Sequence, residues 1–234
     1  MSRRIAVLAS GRGSNLRALH AFLSRAGAAA PGEIALVASD KPEAGALGFA
    51  REHAIPCAVV SGRADAGAEM SALLREHGVD YLVLAGYLRL VPAAVIAAFH
   101  GRVLNVHPAL LPAFGGRGMY GDRVHRAVLD AGARVTGVTA HFVDEVYDRG
   151  AVIAQWPVPV YPDDTVSSLA ARVLRVEHVL YPRAVAAVVA GRVRLDAAGR
   201  VEGTIAPPSP RAAFTLDDSS DADLAANIDR ALDV

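Results

Sequence analysis

The chain has 234 residues, 24 Lys+Arg against 24 Asp+Glu, a formal net charge of zero and 53% hydrophobic residues. That length suits one large domain or two small ones with a substantial core, and the composition excludes wholesale disorder. Neutrality removes the electrostatic case for a nucleic-acid or polybasic membrane partner. Mean hydropathy is +0.29, but no apolar run nears the roughly 18 residues of a spanning helix. Cys57 is the single cysteine, so no intramolecular disulfide forms. No signal peptide is expected from Arg3-Arg4 and the short apolar run after them, and the expected location is cytoplasmic.

Residues 3–9 form a short apolar run closed by Ser10-Gly11-Arg12-Gly13, the profile of a buried strand entering a turn. Ser14 or Asn15 is expected to cap the helix that follows, to about Arg25. Strands are predicted over 33–39, 57–61, 81–85 and 102–106, alternating with helices over 44–53, 68–77 and 92–99. Short connections and continuously apolar strands predict an α/β fold. Its expected form is a mostly parallel, doubly wound, Rossmann-like sheet flanked by helices in a single domain. After His107 the rhythm changes. Residues 108–121 hold two Pro and four Gly and read as a long irregular loop, the kind that is often functional. A helix over 122–131 and two strands over 134–143 and 151–160 follow, giving an antiparallel C-terminal edge. A helical stretch over 165–190 is expected to bend or break at Pro182, and 192–195 with 200–203 read as a hairpin. The expected domain is 1–203. Residues 204–234 are expected to form a mobile acidic tail with a short helix at 222–232.

Four patterns carry chemistry. Gly11-Arg12-Gly13-Ser14-Asn15-Leu16 joins the first strand to the first helix. Its glycines permit close backbone approach, and a helix N-terminus with Ser and Asn donors suits one terminal phosphate. Leu16 stands where the dinucleotide fingerprint needs its third Gly. Asn105-Val106-His107-Pro108 lies at the C-terminal end of a central strand, where ligand crevices of open α/β sheets lie. Alternation puts Asn105 and His107 on one side of that strand, pairing an amide donor for an oxyanion with a proton carrier. Asp144, Glu145 and Asp148 crowd the loop after His141, and one of them is expected to pair with His107 and favour its imidazolium. Leu88-Arg89-Leu90-Val91, after the fourth strand, suits a flat ring system bearing an acidic tail. Glu177-His178 reads, on the residues alone, as a helix surface. No metal-ligating pattern is present, and no metal is expected.

Taken together, Gly13-Ser14-Asn15, Leu88-Arg89-Leu90-Val91, Asn105-Val106-His107-Pro108-Ala109-Leu110-Leu111-Pro112 and His141…Asp148-x-Gly150 resemble the family of formyltransferases that use 10-formyltetrahydrofolate. The resemblance covers about residues 3–195. It implies transfer of a formyl group from that co-substrate, with Asn105, His107 and Asp148 as the catalytic trio. It implies that Leu88, Arg89, Leu90 and Val91, with Asn105 and Arg63, contact the folate. Within the family, the Gly-Ser-Asn loop points to glycinamide ribonucleotide as acceptor. Gly13, Ser14 and Asn15 would then hold its phosphate and Glu177 its ribose or glycinamide part. The resemblance leaves a homodimer open. The sequence departs from the family pattern in the long 113–121 loop. Ala113 also stands where many members carry Lys, leaving Arg117 as the available cation.

Other readings make distinct demands. A formyltetrahydrofolate hydrolase would use the same trio with water as acceptor. It usually carries an extra N-terminal domain, and a first strand at residue 3 leads us to expect none. Formylation of a tRNA would need a larger basic C-terminal domain. A nicotinamide oxidoreductase would use Asp40 for a ribose hydroxyl. A nucleotide-binding module would leave the trio without a common purpose.

Overall fold

The computed structural model describes residues 2–60, 66–203 and 221–232. Arg63 and residues 204–220 lie outside the described residues. The chain forms a mostly parallel seven-stranded sheet in the order β3-β2-β1-β4-β5-β6-β7, flanked by helices. Its residues gather into two compact units, Met1–Asn105 with Phe142–Glu145, and Val106–His141 with Val146–Val234.

The first unit alternates strand and helix: β1 (Arg3–Leu8), α1 (Ser14–Ala26), β2 (Gly32–Ser39), α2 (Gly45–Glu52), β3 (Cys57–Val59), α3 (Ala66–Glu76), β4 (Tyr81–Leu84), α4 (Ala93–Ala98) and the start of β5 (Val103–His107). Its strand pairs β1·β2, β1·β4, β2·β3 and β4·β5 are all parallel. Ile5, Ala6, Val7 and Leu8 are fully buried, as a strand covered on both faces must be. On α1, Leu16, Leu19 and Leu23 follow helical spacing and face the core. The chain winds outward from β1 in both directions, to β2 on one side and β4 on the other. The loops after β1 and β4 therefore meet where the strand order reverses, the usual ligand crevice of such sheets.

The expected cap of α1 differs. Neither Ser14 nor Asn15 caps the helix; Gly13 occupies the N-cap position at φ 77°, with no side-chain cap bond. The reason is space and backbone. A Cβ on Gly13 would stand 3.0 Å from both Cα and Cβ of Ala46 on α2, so only glycine fits this left-handed turn.

The second unit contains α5 (Asp122–Asp130), β6 (Val135–Phe142), β7 (Val152–Pro159), α6 (Val166–Val189), the small hairpin β8 (Arg194–Leu195) and β9 (Val201–Glu202), and α7 (Asp221–Leu232). Strands β6 and β7 are antiparallel, with β7 at the sheet edge. Thr165 and Ser168 form a reciprocal capping box at the start of α6. Of the expected bend or break, the break does not occur: α6 runs through Pro182 as one helix. Leu180, Tyr181, Val185 and Val188 are buried on either side of it, and that burial outweighs the lost backbone bond. Helix α7 packs on α6. Its Ile228 is fully buried, and Asp229 receives the Arg183 guanidinium, whose Nη2 donates to Oδ2 over 2.9 Å.

Candidate active site

In the first unit, α1 starts just after β1 behind the turn at Gly13 with no side-chain cap bond, and its dipole favours an anion at that N-terminus. Gly45, at the start of α2, lies against this turn, since a Cβ there would sit 3.2 Å from Arg12 Cα. Asp40, just beyond β2, is almost sealed, its side chain 6% exposed. Its Oδ1 accepts a 2.6 Å bond from the Ser10 hydroxyl and its Oδ2 a 3.0 Å bond from Arg89 Nε. The Ser10 hydroxyl in turn accepts the Leu88 backbone N–H over 3.0 Å. These bonds hold the Asp40 carboxyl below the usual carboxylate range although burial opposes them. Both oxygens are thus committed to the protein, which argues against the ribose contact of an oxidoreductase. Leu88 and Leu90 are exposed, while Val91 is buried in the core beside Val95 and Ile96. Val91 therefore anchors the segment from beneath. Tyr87, half-buried near the Asp40 charge, is pushed up to about 12 and stays neutral.

In the second unit, His107 ends β5, two residues beyond Asn105 and on the same face of the pleat. The ring is buried. Its Nδ1 lies 3.5 Å from Asp148 Oδ2, and its Nε2 lies 2.9 Å from the Phe114 carbonyl oxygen. Asp148 is held in turn. Its Oδ2 accepts the Gly116 N–H over 2.8 Å, and its Oδ1 lies 3.8 Å from His141 Nε2. Asp148 has φ 55°, a conformation Asp tolerates better than most residues. Gly115 makes room for it, because a Cβ there would stand 3.2 Å from Asp148 Cβ and 2.5 Å from Leu111 Cδ2.

The segment leading out of His107 is pinned from β6 and β7. Thr139 Oγ1 donates to the Ala109 carbonyl over 2.7 Å and accepts the Leu111 N–H over 3.0 Å. Gln155 Nε2 donates to the Leu111 carbonyl over 2.8 Å and to Thr139 Oγ1 over 3.0 Å. Leu110 sits on the bare backbone of Gly137, where any side chain would collide with it.

Burial works against the expected imidazolium. Desolvation lowers the His107 pKa despite Asp148 and the Phe114 carbonyl, both of which raise it. Two acceptors face the two ring nitrogens, and a neutral ring has one N–H to offer them. The second acceptor is satisfied only when the ring takes up a proton and both nitrogens become donors. His125 of α5, also buried, is lowered too by desolvation, against the pull of the nearby Asp122 carboxylate.

Residues 3–185 match the family model described as Formyl transferase. The chain belongs to the formyl transferase family. It is 43% identical over 198 residues to "Phosphoribosylglycinamide formyltransferase, chloroplastic" of Arabidopsis thaliana, covering 82% of this chain and 67% of that one. The protein of the same name from Vigna unguiculata is 43% identical over 82% of this chain and 62% of its own. The chain thus spans about two thirds of the length of these plant formyl transferases. The solved phosphoribosylglycinamide formyltransferase of Anaplasma phagocytophilum superposes with a TM-score of 0.79 at 36% identity, over 87% of this chain and 94% of that one.

For this formyl transferase, the structure brings His107 and Asp148 together and sets the 13–15 turn and the 88–91 segment at the switch point of the first unit. Glu177 departs from the helix-surface reading: it is 8% exposed on α6. A buried carboxylate is expensive without a purpose. Arg63 lies outside the described residues. Sequence reasoning missed the backbone partners of the pair, the Phe114 carbonyl and the Gly116 N–H, which carry no side-chain signature. It also missed His141 as a neighbour of Asp148, although the His141…Asp148 motif contains both. Among the described residues, no helix is long and apolar enough to cross a membrane.

Proposed function

We infer that this chain transfers the formyl group of 10-formyltetrahydrofolate to the amine of glycinamide ribonucleotide, the phosphoribosylglycinamide formyltransferase reaction of purine synthesis. Family membership and 43% identity to the plant enzymes support this reading. The observation that carries the chemistry is the buried His107–Asp148 pair at 3.5 Å. The cytoplasm, a reducing compartment, suits the lone Cys57.

The parts divide as follows. The turn at Gly13 and the first-turn donors of Ser14 and Asn15 bind the acceptor's phosphate. Glu177 contacts its ribose or glycinamide portion. The exposed Leu88 and Leu90, the backbone they sit on and the Arg89 guanidinium fit a flat heterocycle with an acidic tail, and Arg63 is assigned to that tail. Bound there, the formyl donor supplies an activated one-carbon unit on a nitrogen that leaves when the amine attacks.

The Asn105 amide donates to the formyl oxygen as negative charge develops on it. Neutral His107 takes up the proton that the attacking amine releases. Asp148, fixed by the Gly116 N–H, accepts the Nδ1–H and keeps the charged ring in place, so the proton is taken up at Nε2. His107 returns a proton from Nε2 towards the departing nitrogen, directly or through water. For this, Nε2 must exchange the Phe114 carbonyl for the substrate. No covalent enzyme intermediate is required.

Carbon-13-labelled formyl donor tests the assignment. With glycinamide ribonucleotide present, the label appears as an amide formyl group on the acceptor. Label appearing as free formate, with or without acceptor, would mean a hydrolase.

A further inference from the structure

We propose that Asp40 is a positioning residue for the formyl donor: it aims Arg89 and, through the Ser10 hydroxyl, fixes the backbone at Leu88. This rests on reading Leu88–Val91 as the donor-binding segment.

The bracket joins three separate stretches of the first unit. Ser10 follows β1, Asp40 follows β2, and Leu88 and Arg89 follow β4. The Ser10 hydroxyl donates its one proton to Asp40 Oδ1 at 2.6 Å. Its lone pairs are thereby left for the Leu88 N–H at 3.0 Å. Backbone bonds close the same junction, with Ser10 N–H to the Gly86 carbonyl at 3.0 Å and Ala9 N–H to the Ala38 carbonyl at 3.0 Å. The remaining carboxylate oxygen takes Arg89 Nε at 3.0 Å. Arg89 makes no other hydrogen bond among the described residues, so its terminal nitrogens stay available to a ligand's acceptor atoms.

Stability is a poor explanation for this arrangement. The Arg89 side chain is 51% exposed, and ion pairs with one exposed partner contribute little. Sealing a carboxylate costs free energy that an apolar side chain would avoid. Direction is what the bracket supplies: Arg89 Nε is fixed on Asp40, within the same segment that exposes Leu88 and Leu90. Ser10 also immediately precedes the Gly11–Asn15 turn, so the bracket ties the donor segment to the strand end that carries the phosphate loop.

The test is steady-state kinetics on the full chain for Asp40→Asn, Arg89→Ala, the double variant and Ser10→Ala. Each substrate is varied against saturation by the other, and unfolding is followed in urea. Each single variant is expected to raise the KM for 10-formyltetrahydrofolate about tenfold, far more than the KM for glycinamide ribonucleotide. The double variant is expected to lose less than the sum of the two single losses, because the Asp40–Arg89 arm is shared between them. An unchanged donor KM in Asp40→Asn, additive losses in the double variant, or equal losses in both KM values tracking lowered stability would overturn the proposal. A wild-type chain that does not consume the donor would instead overturn the reading of Leu88–Val91 beneath it.

Discussion

Asp148 Oδ2 stands 3.5 Å from His107 Nδ1 and is itself fixed by the Gly116 N–H at 2.8 Å. The carboxylate is thus oriented before any substrate arrives, while desolvation lowers the imidazole's pKa against it. A desolvated ring beside a ready carboxylate is placed to gain from a proton at the moment of reaction. We expect Asp148→Asn and His107→Asn each to lower kcat about 10²- to 10⁴-fold, the usual scale for a positioned proton carrier. The double variant should be little worse than either single one. Urea midpoints for the variants should stay near wild type. Activity within a few-fold of wild type in either single variant would remove the pair from the chemistry.

The protonation of buried histidines sets a pH dependence of stability. The pKa values of His107 and His125 are lowered in the folded chain, chiefly by desolvation. Between the folded and unfolded pKa values the unfolded chain binds more protons. Stability is therefore full above about pH 6.5 and falls as pH drops below it, by up to about 1.4 kcal/mol per unit per histidine. Urea unfolding at pH 7.5, 6.5 and 5.5 should show this decline, and His125→Gln should reduce its slope. A flat profile over that window contradicts the assignment.

Much of this was legible in the chain. The apolar run of β1 is legible because burial on both faces demands it, and the break at Gly11-Arg12-Gly13 and the sequence Asn105-Val106-His107-Pro108 are local patterns at strand ends. What was not legible depends on distant neighbours. Pro182 reads as a breaker until the buried residues around it are seen. Glu177 reads as surface until α6 is packed. The His107 pKa is lowered because desolvation outweighs the carboxylate, and how deeply that one ring is covered depends on neighbours distant in the chain. Asp40 takes its role only once the ends of β1, β2 and β4 are brought together.

The turn before α1 gives a test of the acceptor site. Gly13→Ala places a Cβ 3.0 Å from Ala46 on a φ of 77°. The backbone conformation alone costs about 1–2 kcal/mol. We expect the KM for glycinamide ribonucleotide to rise at least tenfold, with a smaller change in the KM for the donor. Equal effects on both substrates would separate this turn from the phosphate.

Thr139→Val keeps the shape of the side chain but leaves the Leu111 N–H without its buried acceptor. An unsatisfied buried group of this kind costs about 1–3 kcal/mol. A lower urea midpoint should accompany reduced kcat, since the residues it pins follow His107 directly. A stability loss with kcat intact would show that this pinning serves the fold alone.

The central claim is acceptor-dependent formyl transfer through His107. Folate absorbance followed with 10-formyltetrahydrofolate, with and without glycinamide ribonucleotide, tests it in wild type and His107→Ala. The account predicts donor consumption only when the acceptor is present, and its collapse in the variant. Consumption at the same rate without acceptor, or unchanged in His107→Ala, would contradict it.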